Sequence, residues 1–183
     1  MLRQLHSFPL IRAADLLGIA DPACAWRRRY EELWPSVEST ALPQLPADVA
    51  DQVAAAYRAF VTSEFDFRPC LVHNDLFSDH VLVDGAGDIA GIIDFEDSCM
   101  GDPTIDFVPV ATALGSEVLK DLSAGRPLGS DPPGRFWFYR WMSGIHHVIY
   151  GASEGAEAEL RSGIAEVTAR LNEPRLPAAL FSP

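Results

Sequence analysis

Lysine is almost missing from this chain of 183 residues: Lys120 is the only one, and the formal net charge is -12. Such a balance argues against a nucleic-acid partner, which would require a basic footprint. It is compatible with a cationic small molecule, although acidity by itself also serves solubility. Cysteine is scarce as well. Cys24, Cys70 and Cys99 are odd in number and lack metal-type spacing, so they are expected as reduced thiols in a cytoplasmic protein. No apolar run reaches membrane-spanning length. The stretch Leu16 to Ala25 superficially resembles a secretory segment, but Arg12, Asp15 and the Asp21-Pro22 break argue against that reading. There is no internal repeat and no low-complexity block.

What is present is nearly one-half apolar residues, enough for a buried core, and one stretch in which acids, imidazoles and turn residues crowd together. This stretch runs from Cys70 to Phe107. Leu71-Val72 reads as a short strand delivering His73, Asn74 and Asp75 to a loop. Val81–Val83 and Ile89–Ile93 are β-rich runs flanking Asp84-Gly85-Ala86-Gly87-Asp88, whose glycines permit a tight reversal, so a hairpin is expected. Pairing about that centre brings His80 and Asp94 to the same end, close enough to share a cation, with Asp75 in reach. A free carboxylate beside a metal-capable pair is what phosphoryl transfer needs: one group to orient an alcohol and a cation to gather phosphates.

The spacing His73-x-Asp75-x4-His80, followed by Ile-Ile-Asp94-Phe95, resembles the H-x-D-x4-N and I-D-F/W pattern of the aminoglycoside phosphotransferase family. These are small-molecule kinases with a protein-kinase-like fold. His80 stands where most members carry Asn, and the phrase from His73 to His80 is most similar to the 2″-aminoglycoside and macrolide branches. The resemblance implies that Asp75 is the catalytic base or orienter, that His80 and Asp94 hold magnesium, and that His73 braces the loop. Magnesium prefers oxygen, so manganese is the softer alternative at His80. ATP or GTP would be the co-substrate. Asp102-Pro103 reads as a helix start, with Asp102 as cap, and is taken as structural. Glu96 and Asp97 could meet ammonium groups or serve as partners of the metal ligands, so the substrate-binding residues stay unassigned.

The remaining segments read mostly as helices. Leu2 to His6 is expected as the end of a helix, Ala13 to Leu17 as a short helix stopped by Gly18, and Asp21-Pro22 as the start of the next. Pro35, Pro43 and Pro46 punctuate an expected loop, and Ala47 to Thr62 is helical. Beyond Phe107, helices are expected over Val110 to Leu122, Phe136 to Gly151 and Glu154 to Leu171, then a tail. His146 and His147 read as packing or surface residues.

The fold expected is mainly α with a small β-hairpin, a single domain over 1–183: helical over 1–69, the catalytic loop, hairpin and metal segment over 70–107, and helical over 108–183. By resemblance it corresponds to the helical carboxy-terminal lobe of a kinase-like fold, the amino-terminal sheet lobe and its phosphate-gripping lysine being absent. The isolated chain is then expected to be inactive, and the surface left by the missing lobe to be apolar or to self-associate. Two further readings are a non-catalytic binding module for a cationic compound or partner chain, and a metal-dependent hydrolase using His73, Asp75, His80 and Asp94.

Overall fold

The computed structural model describes residues 1–18, 20–63 and 66–182. Eight α-helices and four short strands follow one another among them: α1 (Leu2–His6), α2 (Leu10–Leu17), α3 (Pro22–Ser36), α4 (Ala47–Thr62), β1 (Cys70–Val72), β2 (Val81–Val83), β3 (Ile89–Ile92), β4 (Cys99–Gly101), α5 (Thr104–Leu114), α6 (Val118–Ser123), α7 (Pro132–Glu154) and α8 (Glu157–Leu171). None of these helices is long and apolar enough to cross a membrane. The chain divides into two compact units, one formed by the described residues of 1–26, 66–132 and 176–182, the other by 27–63 and 133–175.

The first unit carries both sheets. β2 and β3 form the expected hairpin, with Val81 opposite Ile92 and Val83 opposite Ile89 across a bulge at Leu82/Val83. Its turn is held by Asp84, whose Oδ1 accepts the backbone N–H groups of Ala86 and Asp88, while Gly87 adopts a φ of +88° that a side chain would resist. The hairpin is short and its apolar side chains are not all covered: Leu82, Val83 and Ile89 are exposed. The second sheet was not foreseen. β1 pairs antiparallel with β4, Cys70 opposite Gly101 and Val72 opposite Cys99. Gly101 is required there because the Trp26 ring lies against it, and a Cβ would fall 2.4 Å from that ring. All three cysteines are free thiols.

Several helix boundaries differ from expectation, each for a physical reason. The segment after Trp34 is not a loop: α3 continues through Pro35, a π-helical turn follows at Val37–Ala41, and a 3-10 turn at Leu42–Gln44. Val37 and Ala41 are fully buried, so the burial of this turn overrides the proline signals. Pro109 likewise sits inside α5, which runs from Thr104 to Leu114 and stops at Gly115, φ +88°. The expected Val110–Leu122 helix is therefore two helices. Ala111 and Leu119 are buried, while Leu114 is 71% exposed. Gly155, φ +68°, delays the last helix to Glu157. The tail ends in a packed 3-10 turn at Ala178–Phe181, with Leu180 and Phe181 buried.

The second unit is an aromatic helical core. Tyr30 of α3, Tyr57 and Phe60 of α4 and Phe138 of α7 pack together, Phe60 stacking on Phe138 at a centroid distance of 3.5 Å. The Tyr57 hydroxyl donates to the Tyr30 carbonyl at 2.6 Å, satisfying a polar group that such a core would otherwise strand. α7 and α8 meet through glycines: a Cβ on Gly163 would lie 2.7 Å from the Gly144 carbonyl oxygen, and one on Gly151 only 2.4 Å from the Leu160 nitrogen.

Candidate functional site

β1 ends where the chain turns polar. His73 is fully buried, and its backbone N–H and that of Asn74 donate to the two oxygens of the Asp106 carboxylate, at 2.9 and 2.8 Å. Asn74 takes a φ of +69°, a left-handed conformation that asparagine tolerates better than most residues. The His6 Nε2–H donates to the same carboxylate at 2.8 Å. Asp106, itself buried in the first turn of α5, thus sets the course of the chain into Asp75. The sequence reading overlooked it. Its signal was an acid between Ile105 and Phe107, in a turn whose neighbours are apolar.

Asp75, His80 and Asp94 do come together. His80 closes a 3-10 turn at Ser78–His80, and its Nδ1–H donates to the Asp75 carbonyl at 2.6 Å. That bond leaves Nε2 facing Asp94, 3.5 Å from Oδ2, while the Asp75 Oδ2 lies 3.5 Å from Nδ1. The hairpin supplies this proximity, since the Ile93 N–H donates to the His80 carbonyl and Asp94 follows directly. Asp94 has a φ of +63°, strained for a residue other than glycine. Partial burial, then Asp97 and Asp94, pushes the Asp75 carboxyl above the usual carboxylate range, with His80 opposing. The hydrogen bond to the Asp75 backbone raises the His80 imidazole, desolvation opposing and the carboxylates of Asp75, Asp79 and Asp94 adding to the rise.

The donor chemistry fits a divalent cation held by two protein groups. With its Nδ1–H committed, neutral His80 presents an Nε2 lone pair beside the Asp94 carboxylate, at a separation near that of adjacent ligands on one ion. Among the described residues no cluster of three or more His, Cys, Asp or Glu could hold a metal. Water and phosphate oxygens would complete such a shell, as magnesium commonly requires. His73 stands outside the pair: its Nε2–H donates to the Ile93 carbonyl at 2.9 Å, tying the loop to the residue before Asp94. That geometry disfavours a four-residue hydrolase ligand set. Asp102 is buried and its Oδ1 accepts the Thr104 N–H at 3.0 Å, the bond expected of a cap, although α5 begins at Thr104 rather than at Pro103. Glu96 and Asp97 are exposed.

Comparison with known proteins gives this geometry a context. A model described as the phosphotransferase enzyme family, APH, matches residues 1–132. Viomycin phosphotransferase of Streptomyces vinaceus is 28% identical over 182 residues, covering 82% of this chain and 63% of its own. Homoserine kinase of Neisseria meningitidis serogroup B is 35% identical over 103 residues, 55% of this chain and 30% of its own. Among solved structures, the GDP and kanamycin complex of APH(2″)-IIIa superposes with a TM-score of 0.75 at 21% identity, over 92% of this chain and 58% of that one. A macrolide 2′-phosphotransferase type I gives 0.69 at 22%, over 91% and 56%. The chain spans less than two-thirds of the length of each.

Proposed function

Because the chain belongs to the phosphotransferase enzyme family, we propose that it is the substrate- and metal-binding lobe of an ATP- or GTP-dependent small-molecule kinase. Its acceptor is an alcohol group of an aminoglycoside or a related antibiotic. The convergence of Asp75, His80 and Asp94 at one end of the hairpin carries this reading. The nucleotide is supported by neighbours solved with GDP, and the acceptor class by neighbours solved with kanamycin and gentamicin. The acidic balance of the chain suits polycationic compounds, and its three free thiols suit a cytoplasmic setting.

In this reading Asp75 orients the attacking hydroxyl and receives its proton, a role helped by a carboxyl raised above its ordinary range. His80 and Asp94 hold magnesium, or manganese. When bound, the ion supplies positive charge for the phosphate oxygens. His73 and Asp102 are braces: one ties the loop to Ile93, the other opens α5.

Manganese titration followed by paramagnetic broadening of the His80 ring signals tests the metal assignment on the chain itself. Broadening is expected in the parent and lost in Asp94→Ala; equal broadening in both sinks the site. In a protein that also contains the nucleotide-holding lobe, Asp75→Asn is expected to lower turnover by about a hundredfold or more while leaving nucleotide binding nearly unchanged. Retained turnover would remove Asp75 from its role.

A further inference from the structure

In the first unit lies a cavity of about 560 Å³ whose chemistry is opposite to that of the chain as a whole. The protein has 26 acidic side chains against 14 lysines and arginines. Yet Arg3, Arg68 and Arg126 all line this cavity, with His6, and among the described residues no carboxylate does. Three arginines around one opening repel one another, a cost that the Asp106 carboxylate bonded to His6 offsets in part and that falls further when an anion enters.

The arginines differ in how they are held. Arg126 donates from Nη1 to His6 Nδ1 at 2.5 Å, and burial, followed by the proximity of Arg3, holds its guanidinium below the ordinary value against the opposing pull of Cys70 and Asp106. Arg3 donates from Nη2 to the Asp121 carbonyl at 2.6 Å, which fixes the side chain without neutralising it. Arg68 is exposed and makes no hydrogen bond or ion pair among the described residues. Three guanidiniums, one fixed, one half-buried and one exposed, line the same cavity, and their planar forks suit tetrahedral oxyanions. Ser7 apart, the rest of the wall is mostly apolar, with Phe8, Pro9, Pro127 and Leu128 lining it. The volume is several times that of a lone phosphate and lies in the range of small-molecule sites.

We propose that this cavity binds a phosphomonoester with an apolar or ring-shaped body, the phosphoryl group on Arg3, Arg68 and Arg126 and the body against Phe8 and the prolines. The site is separate from Asp75, His80 and Asp94 and does not depend on the phosphotransferase reading.

Calorimetry of the 183-residue chain in metal-free, low-salt buffer tests it with three probes: phenyl phosphate, inorganic phosphate and benzyl alcohol. Phenyl phosphate is expected to bind one to one, inorganic phosphate about tenfold more weakly, and benzyl alcohol not at all. Arg68→Ala and Arg3→Ala alter exposed side chains, and thermal melts verify that both remain folded. Each is expected to weaken phenyl phosphate about fivefold or more. Absence of phenyl phosphate binding at millimolar concentration, equal affinity for both phosphates, or affinity unchanged in the Arg3→Ala, Arg68→Ala double variant overturns the proposal.

Discussion

The aromatic unit and the unit bearing the site place their difficult residues differently. In the former, Phe60 lies flat on Phe138, the Tyr57 hydroxyl reaches a backbone carbonyl, and glycines let α7 and α8 approach until no Cβ fits between them. There the unusual positions serve close packing. In the latter, the unusual positions are a buried carboxylate under a loop, an asparagine and an aspartate at positive φ, and a histidine between two acids. Packing gives stiffness cheaply because apolar contact has no direction. Polar geometry must be satisfied bond by bond, and it is concentrated where chemistry is expected.

Substitutions can separate these two uses. The largest effect is expected from Asp106→Ala, which strands the buried N–H groups of His73 and Asn74 together with the His6 ring. A loss of about 3 kcal/mol of stability is expected, accompanied by loss of manganese-induced broadening at His80. Gly163→Ala comes next. Its methyl meets the Gly144 carbonyl and the Val148 nitrogen, both backbone atoms that cannot swing aside, so overpacking outweighs the helix preference for alanine and costs about 1–3 kcal/mol. Broadening at His80 is expected to survive. If Gly163→Ala abolished it, or Asp106→Ala spared it, the division of labour between the units would fall.

The smallest effect concerns pH. His80 has a raised folded-state value, so its contribution is complete below the ordinary imidazole value and fades as pH rises through the folded one. Asp75 is also raised, so the folded protein holds its proton more tightly than the unfolded chain, and stability falls as pH rises above the usual carboxylate range. Both slopes have the same sign. A melting temperature that declines modestly between pH 6 and about 8 is expected, with a shallower decline in His80→Gln; identical slopes would detach His80 from that window.

Local signals made much of the molecule legible from its sequence. Ala47–Thr62 was read residue for residue because its apolar spacing and the flanking proline agree with its burial. The hairpin was legible because Gly85 and Gly87 mark the turn and β-rich runs flank it, and the proximity of His80 and Asp94 follows from pairing alone. Non-local contacts hid the rest. The β1–β4 ladder joins residues about thirty positions apart with three-residue strands too short to show a period. Helix continuation through Pro35 and Pro109 is decided by the burial of Val37 and Phe107, against the local rule. Asp106 looked like one more acid after a helix cap, because its partners are backbone amides, which no side-chain pattern advertises.

The three bonds to Asp106 also order events in time. They join residues 32, 33 and 100 positions apart, and contacts of such span form only after the chain has met the entropy of closing long loops. Helices such as α4 can appear within their own sequence and early. The loop that presents Asp75 cannot, so during folding most of the helical content is reached before the molecule acquires the one arrangement its chemistry would need.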